Sequence, residues 1–161
     1  MRRHIFPAVP AVSIVLGAFV SLVAVAAGPP SDACRLLTPA AVTAVLGVRV
    51  GAGAHKQPSY PGICTWEEAA AAPLGGRSVV ISFKSSEAFE VGKGLAEMHR
   101  RMLGGVGDEA YFGGMGRARR QPVLNVKKGA VAFNVVIYGD VPAERAKSME
   151  KRLARRVLAR L

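Results

Sequence analysis

The chain has 161 residues, a formal net charge of +11, two cysteines and half of its residues hydrophobic. That is enough for one buried core and too little for two, and too apolar for a disordered polyelectrolyte. Two cysteines exclude a dense disulfide scaffold, and a three-histidine total leaves little for a multi-histidine metal centre.

The chain opens as a targeting segment. Arg2, Arg3 and His4 form a basic start, Ala11 to Ala27 is an apolar run, and Ala24-Val25-Ala26 carries the small-x-small pattern of signal-peptidase cleavage. The expectation is a signal peptide over 1–27, cleaved near Ala26-Ala27, and a single secreted or periplasmic domain over 28–161. An uncleaved membrane anchor is the competing reading, and it is the only route to membrane attachment. Pro7 and Pro10 and the small-residue end oppose it. Lipidation at Cys34 is disfavoured because Ser31-Asp32-Ala33 puts an acid where small apolar residues are needed.

After the linker Gly28-Pro29-Pro30-Ser31, Asp32 or Thr38 can open the first ordered element. Thr38-Pro39 predicts a helix over Pro39–Leu46, stopped by Gly47. A loop rich in proline and glycine leads to a strand over Ile63–Glu67. Alternation then gives Ser78–Lys84, with Val79, Ile81 and Phe83 on one side. Ser85 or Ser86 caps a second helix, whose inward face is expected to carry Phe89, Leu95, Met98 and Met102, weakened by Gly92 and Gly94. A short strand over Val106–Phe112 follows. The clearest hairpin pairs Val123–Lys127 with a strand ending at Tyr138 through a turn at Lys128-Gly129. The last helix shows Ala146, Met149, Leu153, Val157 and Leu161 at helical spacing. The fold class is therefore α+β: a mainly antiparallel sheet with two to three helices packed on one face.

Cys34 and Cys64 read as a bridge in an oxidising compartment, closing a loop of about 31 residues for roughly 3–4 kcal/mol by the chain-entropy estimate. Without Arg2 and Arg3 the charge falls to +9, and its excess is confined to two segments, 116–128 and 144–161. Arg117, Arg119 and Arg120 in the first, with Arg152, Arg155 and Arg156 in the second, are the candidate anion-binding residues. Such a field suits an anionic partner of the envelope, such as lipid head groups, lipopolysaccharide or teichoic acids, or an envelope protein. Extracellular nucleic acid is a further polyanion, but nothing points to its specific recognition. Trp66, Phe89 and Tyr111 are the candidates for a ligand groove between sheet and helix.

Catalytic signatures are absent: no G-x-S-x-G, H-E-x-x-H or Walker loop occurs, and His55 and His99 sit at no metal-ligand spacing. No motif calls for a cofactor or metal. The neighbouring acids Glu67-Glu68 and Asp108-Glu109 point to opposite sides of a strand and cannot share a site. Gly113-Gly114-Met115-Gly116 before the arginines is a weak phosphate-cradle signal, without a helix start behind it. An enzyme would need Asp108, His99 or a serine to converge in a cleft. The expectation is a noncatalytic binding module, with a carrier or sensor of a small amphipathic ligand as the alternative.

The succession Cys34-Arg35-Leu36-Leu37-Thr38-Pro39-Ala40-Ala41-Val42, then Leu46-Gly47, Cys64-Thr65-Trp66 and Gly107-Asp108-Glu109-Ala110, resembles a broad group of secreted bacterial domains of unknown function. The group includes small actinobacterial lipoproteins and is similar to extracellular sensor domains of some membrane kinases. The resemblance implies a Cys34–Cys64 bridge and a compact α+β envelope domain that binds rather than catalyses. The chain departs from the lipoprotein members at the lipobox.

Overall fold

The fold is described from a computed structural model over residues 32–70, 75–95, 100–113 and 121–161. The expected signal segment lies outside the described residues, as do Met98, His99, Arg117, Arg119 and Arg120. A short 3-10 turn, Ala33–Arg35, is capped by Asp32, whose carboxylate accepts from the Cys34 amide. Then come α1 (Pro39–Leu46), β1 (Ile63–Glu67), β2 (Ser78–Lys84), α2 (Ser86–Gly94), β3 (Arg101–Leu103), β4 (Glu109–Gly113), β5 (Val123–Lys128), β6 (Val131–Tyr138) and α3 (Ala143–Leu158). The strands form one antiparallel sheet in the order β1-β2-β6-β5-β4-β3.

Local chemistry sets most of these boundaries. Thr38 Oγ1 accepts from the Ala41 amide at 3.2 Å and Pro39 occupies the first helical position, while Gly47 donates to the Thr43 carbonyl to end α1. Ser85 caps α2 by accepting from the Ala88 amide at 3.0 Å. The β5–β6 hairpin forms as expected, with its turn one residue later, at Gly129-Ala130, because Lys128 pairs with Val131.

Three expectations need correction. The strand expected over Val106–Phe112 runs Glu109–Gly113, because Gly105 and Gly107 put left-handed turns before it. The second helix stops at Gly94: Leu95 is already extended, and Met102 lies on β3 with 54% of its surface exposed. Gly92 is in this helix because the backbone there touches the sheet. A Cβ on Gly92 would sit 2.7 Å from the Tyr111 hydroxyl. Close approach fixes the glycine, and the glycines leave the helix too weak to continue. The last helix ends at Leu158, so Leu161 is not on its buried face.

The two faces of the sheet carry different helices. Alternate residues Trp66, Val79, Ile81, Phe112, Leu124, Val126, Phe133, Val135 and Ile137 share one core with Val42, Leu46, Met149, Leu153 and Val157, so α1 and α3 cover that face. On the other face Phe89 of α2 packs on Tyr111 of β4, ring centroids 5.2 Å apart, over Ala132. Val50 and Ala54 bridge to the outer side of β1, which leaves β3 as the open edge among the described residues.

Inside the α3 face lies a carboxyl group. Glu150 is fully buried, and its Oε1 accepts from the Ile137 amide at 3.1 Å. The register puts Pro122 opposite Ile137, just beyond the end of β5. Proline has no amide hydrogen to offer there, so Gln121 Nε2 donates to the Ile137 carbonyl at 2.9 Å in its place. The Ile137 N–H goes to the Glu150 carboxyl rather than to a strand carbonyl. Burial pushes the Glu150 carboxyl up from its ordinary 4.5 to about 8, against the opposing pull of the Ile137 and Leu124 amides. Its Oε2 has no partner among the described residues.

Because the folded-state value is the raised one, folded Glu150 holds its proton over a range where the unfolded chain has lost it. Its contribution is whole below about pH 4.5 and is lost as pH rises toward about 8. Urea unfolding at about pH 5 and about pH 9 should therefore show a loss on the order of a few kcal/mol. Glu150→Gln keeps an acceptor for Ile137 and should flatten that slope. A variant with the wild-type slope would exclude Glu150 as its source.

Candidate functional site

The three aromatics proposed for a groove line none among the described residues. Trp66, Phe89 and Tyr111 are each fully buried, Trp66 in the α1–α3 core and the other two beneath α2. They occupy central positions of elements that are covered, and burial raises the Tyr111 phenol pKa. Alternation along a strand reveals an inward position, but not whether the space it faces is filled by protein.

Over the α2 face Lys93 and Lys127 are matched by acids, while Lys84 donates to the Asn125 side chain. Lys93 Nζ lies 2.6 Å from Glu90 and 2.7 Å from Glu109, and Lys127 Nζ lies 2.7 Å from Glu90. Hydrogen bonds from Lys127 and Lys93 hold the Glu90 carboxyl below its ordinary range. Lys128 pairs with Asp108 at 2.7 Å, and Asp108 also accepts from the Gly129 amide, so this acid fastens the β5–β6 turn. Glu67 is held by Lys56 and Glu68 accepts from the Arg77 amide. The acids weighed for catalysis are thus occupied with turns and ion pairs.

Helix α3 differs. Its inward residues Ala146, Met149, Glu150, Leu153, Ala154 and Val157 are buried. The helical repeat consequently turns Arg152, Arg155 and Arg156 outward together, all three exposed, with Arg145 beside them. Among the described residues none of these four makes an ion pair. Arg152 reaches the Ala44 carbonyl of α1 at 3.3 Å, which steers its guanidinium without neutralising it. Arg117, Arg119 and Arg120, expected to join them, lie outside the described residues.

The other flank of α3 faces the open sheet edge and forms a cleft of about 220 Å³. Its wall is Glu144, Lys147 and Lys151, spaced to share one side of the helix, and its sheet side is Arg101, Leu103 and Phe112. Lys147 and Glu144 pair at 2.6 Å, whereas Arg101 and Lys151 make no ion pair among the described residues. Sequence reasoning missed Arg101 because a three-residue strand has no readable period. The spacing of Lys147 and Lys151 was the available signal for one shared flank.

Cys34 and Cys64 are bridged, with Cα atoms 5.0 Å apart, tying the turn before α1 to β1. A Cβ on Gly53, in the segment running beside β1, would fall 2.7 Å from Cys64 Sγ and 2.8 Å from the Trp66 ring. His55 stands next to the bridge: Nδ1 lies 2.7 Å from the Ile63 carbonyl and 3.7 Å from Cys34 Sγ, while Nε2 lies 3.1 Å from Asp32. Asp32, Cys34 and His55 are close enough to bind a metal ion together. With Cys34 Sγ committed to Cys64 it is no thiolate, and two donors fall short of the three protein ligands of a catalytic zinc.

No family model, curated protein or solved structure matches the chain. Among the described residues no helix is long and apolar enough to cross a membrane. The bridge closes a sequence separation of 30 residues, so Cys34→Ala/Cys64→Ala should lower stability by about 3–4 kcal/mol in urea titration. A loss under about 1 kcal/mol would mean that the packing of Trp66 and α1 already orders the loop.

Proposed function

We propose that the protein is a noncatalytic binding module of the bacterial cell envelope, secreted or periplasmic after cleavage near Ala26-Ala27, that engages an anionic surface through α3. One observation carries this reading: the exposed side of α3 presents Arg145, Arg152, Arg155 and Arg156 without acids, while over α2 Lys93 and Lys127 are paired with acids and Lys84 is held on Asn125. The helix contributes charge and no insertion. Its apolar residues are used against the sheet, so it lacks the free apolar face of a helix that sinks into lipid. The disulfide is compatible with an oxidising compartment, and the resemblance to secreted envelope domains points the same way.

A carrier with an enclosed groove is a weaker account, since Trp66, Phe89 and Tyr111 are unavailable to a ligand. The experiment is capture by vesicles of phosphatidylglycerol and phosphatidylcholine compared with phosphatidylcholine alone. Capture should need the anionic lipid and fade as salt shortens the screening length from about 10 Å at 0.1 M to about 3 Å at 1 M. Arg152→Glu/Arg155→Glu/Arg156→Glu should weaken it by more than about a hundredfold, at roughly 1 kcal/mol for each lost surface cation. A variant that melts like wild type and is captured equally well would remove α3 as the binding surface.

A further inference from the structure

The cleft between β3 and the flank of α3 has a composition that the exposed side of the helix lacks. Its sheet side combines a cation with apolar surface: Arg101 pairs across the strands with Phe112, and Leu103 lies on the same face. Phe112 is 7% exposed and Leu103 partly buried, so they make a low floor rather than a protruding patch. Lys151 stands opposite on the helix, and Lys147 beside it is turned toward Glu144. Three cations therefore surround a space that holds one carboxylate, and that carboxylate is already paired.

We propose that this cleft binds the phosphate headgroup of an anionic phospholipid, with Arg101 and Lys151 on the phosphate and the glycerol end of the chains against Leu103 and Phe112. The inference rests on the anionic-surface reading and names the species within that surface that is recognised individually. Size favours a headgroup: about 220 Å³ is below the roughly 300–1,000 Å³ that encloses a whole drug-sized ligand, so the acyl chains stay outside. Charge favours an anion, because Arg101, Lys147 and Lys151 share the single carboxylate of the cleft, Glu144, whose hydrogen-bonded partner is Lys147. The exposed edge of Leu103 and Phe112 is small, and it gives an amphiphile a modest gain that a bare inorganic anion lacks. Position agrees as well. Lys151 lies on the helix between the cleft and the exposed arginines, so one leaflet can meet both.

The test uses short-chain phosphatidylglycerol below its micelle-forming concentration, followed by chemical shifts and calorimetry. Saturable binding that moves the Leu103 methyl and Phe112 ring signals is expected. Arg101→Gln/Lys151→Gln should raise the apparent Kd about thirtyfold while leaving vesicle capture through Arg152, Arg155 and Arg156 largely in place. The charge-reversed Arg101→Glu/Lys151→Glu should abolish short-chain binding at an unchanged melting temperature. Vesicle capture without short-chain binding overturns the cleft and leaves the surface reading standing; loss of both in wild type overturns both. Displacement of the lipid by inorganic phosphate at equal concentration overturns the lipid assignment, since the floor then contributes nothing. A glutamine variant that binds like wild type overturns the assignment of Arg101 and Lys151.

Discussion

The packing of α3 across β5 and β6 governs the rest of the molecule. It buries the apolar side of a 16-residue helix against the hairpin that occupies the middle of the sheet. Each fully buried Leu, Met or Val side chain contributes about 1.5–3 kcal/mol by area removed from water. That contact also fixes rotation about the helix axis. With Ala146, Leu153 and Val157 inward, the arginines have one place to go and the Lys147–Lys151 flank must face β3. Charge placement at the surface is thus a consequence of core packing.

Glu150 makes the same contact conditional. Where β5 ends, the Ile137 N–H is taken by the helix rather than by a strand, through a carboxyl group held in its protonated range by burial. A neutral side chain serves that need over a wide pH range, whereas the acid serves it best at low pH. The disulfide acts at the β1 edge of the sheet, joining the start of the domain to β1. Between them the two devices secure the parts of the fold whose hydrogen bonding is least regular.

Local signals were legible wherever one residue type decides a boundary. Thr38-Pro39 and Gly47 delimit α1, alternation delimits β1, β2 and β6, and the cysteine pair is visible from composition and compartment. Failures occurred where the deciding contact is tertiary. Gly92 reads as a weak helix residue, and only the approach of Tyr111 explains it. Glu150 reads as a solvent-facing acid among basic neighbours, because nothing local shows that the Ile137 N–H, beyond the end of β5, is accepted from the helix. Trp66 and Phe89 announce apolar surface, yet whether protein or ligand covers it depends on where α1 and the sheet lie. The cleft was illegible for a related reason: Arg101 and Lys151 meet across 50 residues of chain.

The basic character of α3 has a structural explanation to be weighed against the functional one. Cations in the last turn of a helix interact favourably with its dipole at about 0.3–1 kcal/mol each, which accounts for Arg155 and Arg156. The same argument runs the wrong way for Arg145 and Lys147, which stand near the positive end. Lys147 has Glu144 to offset it; Arg145 has no acid within ion-pair reach among the described residues. Lys151 with Arg155, and Arg152 with Arg155 and Arg156, are like-charged neighbours at three- and four-residue spacing, costing about 0.2–0.5 kcal/mol a pair. Solubility alone needs net charge and not this crowding, since the same cations spread over the surface would avoid the repulsion. An anionic surface bound there would remove it, because phosphates placed between the arginines would turn each repulsive pair into a shared attraction. The energy stored is small beside the burial that holds α3 in place, so the helix keeps its cationic side without a partner and would gain by meeting an anionic one.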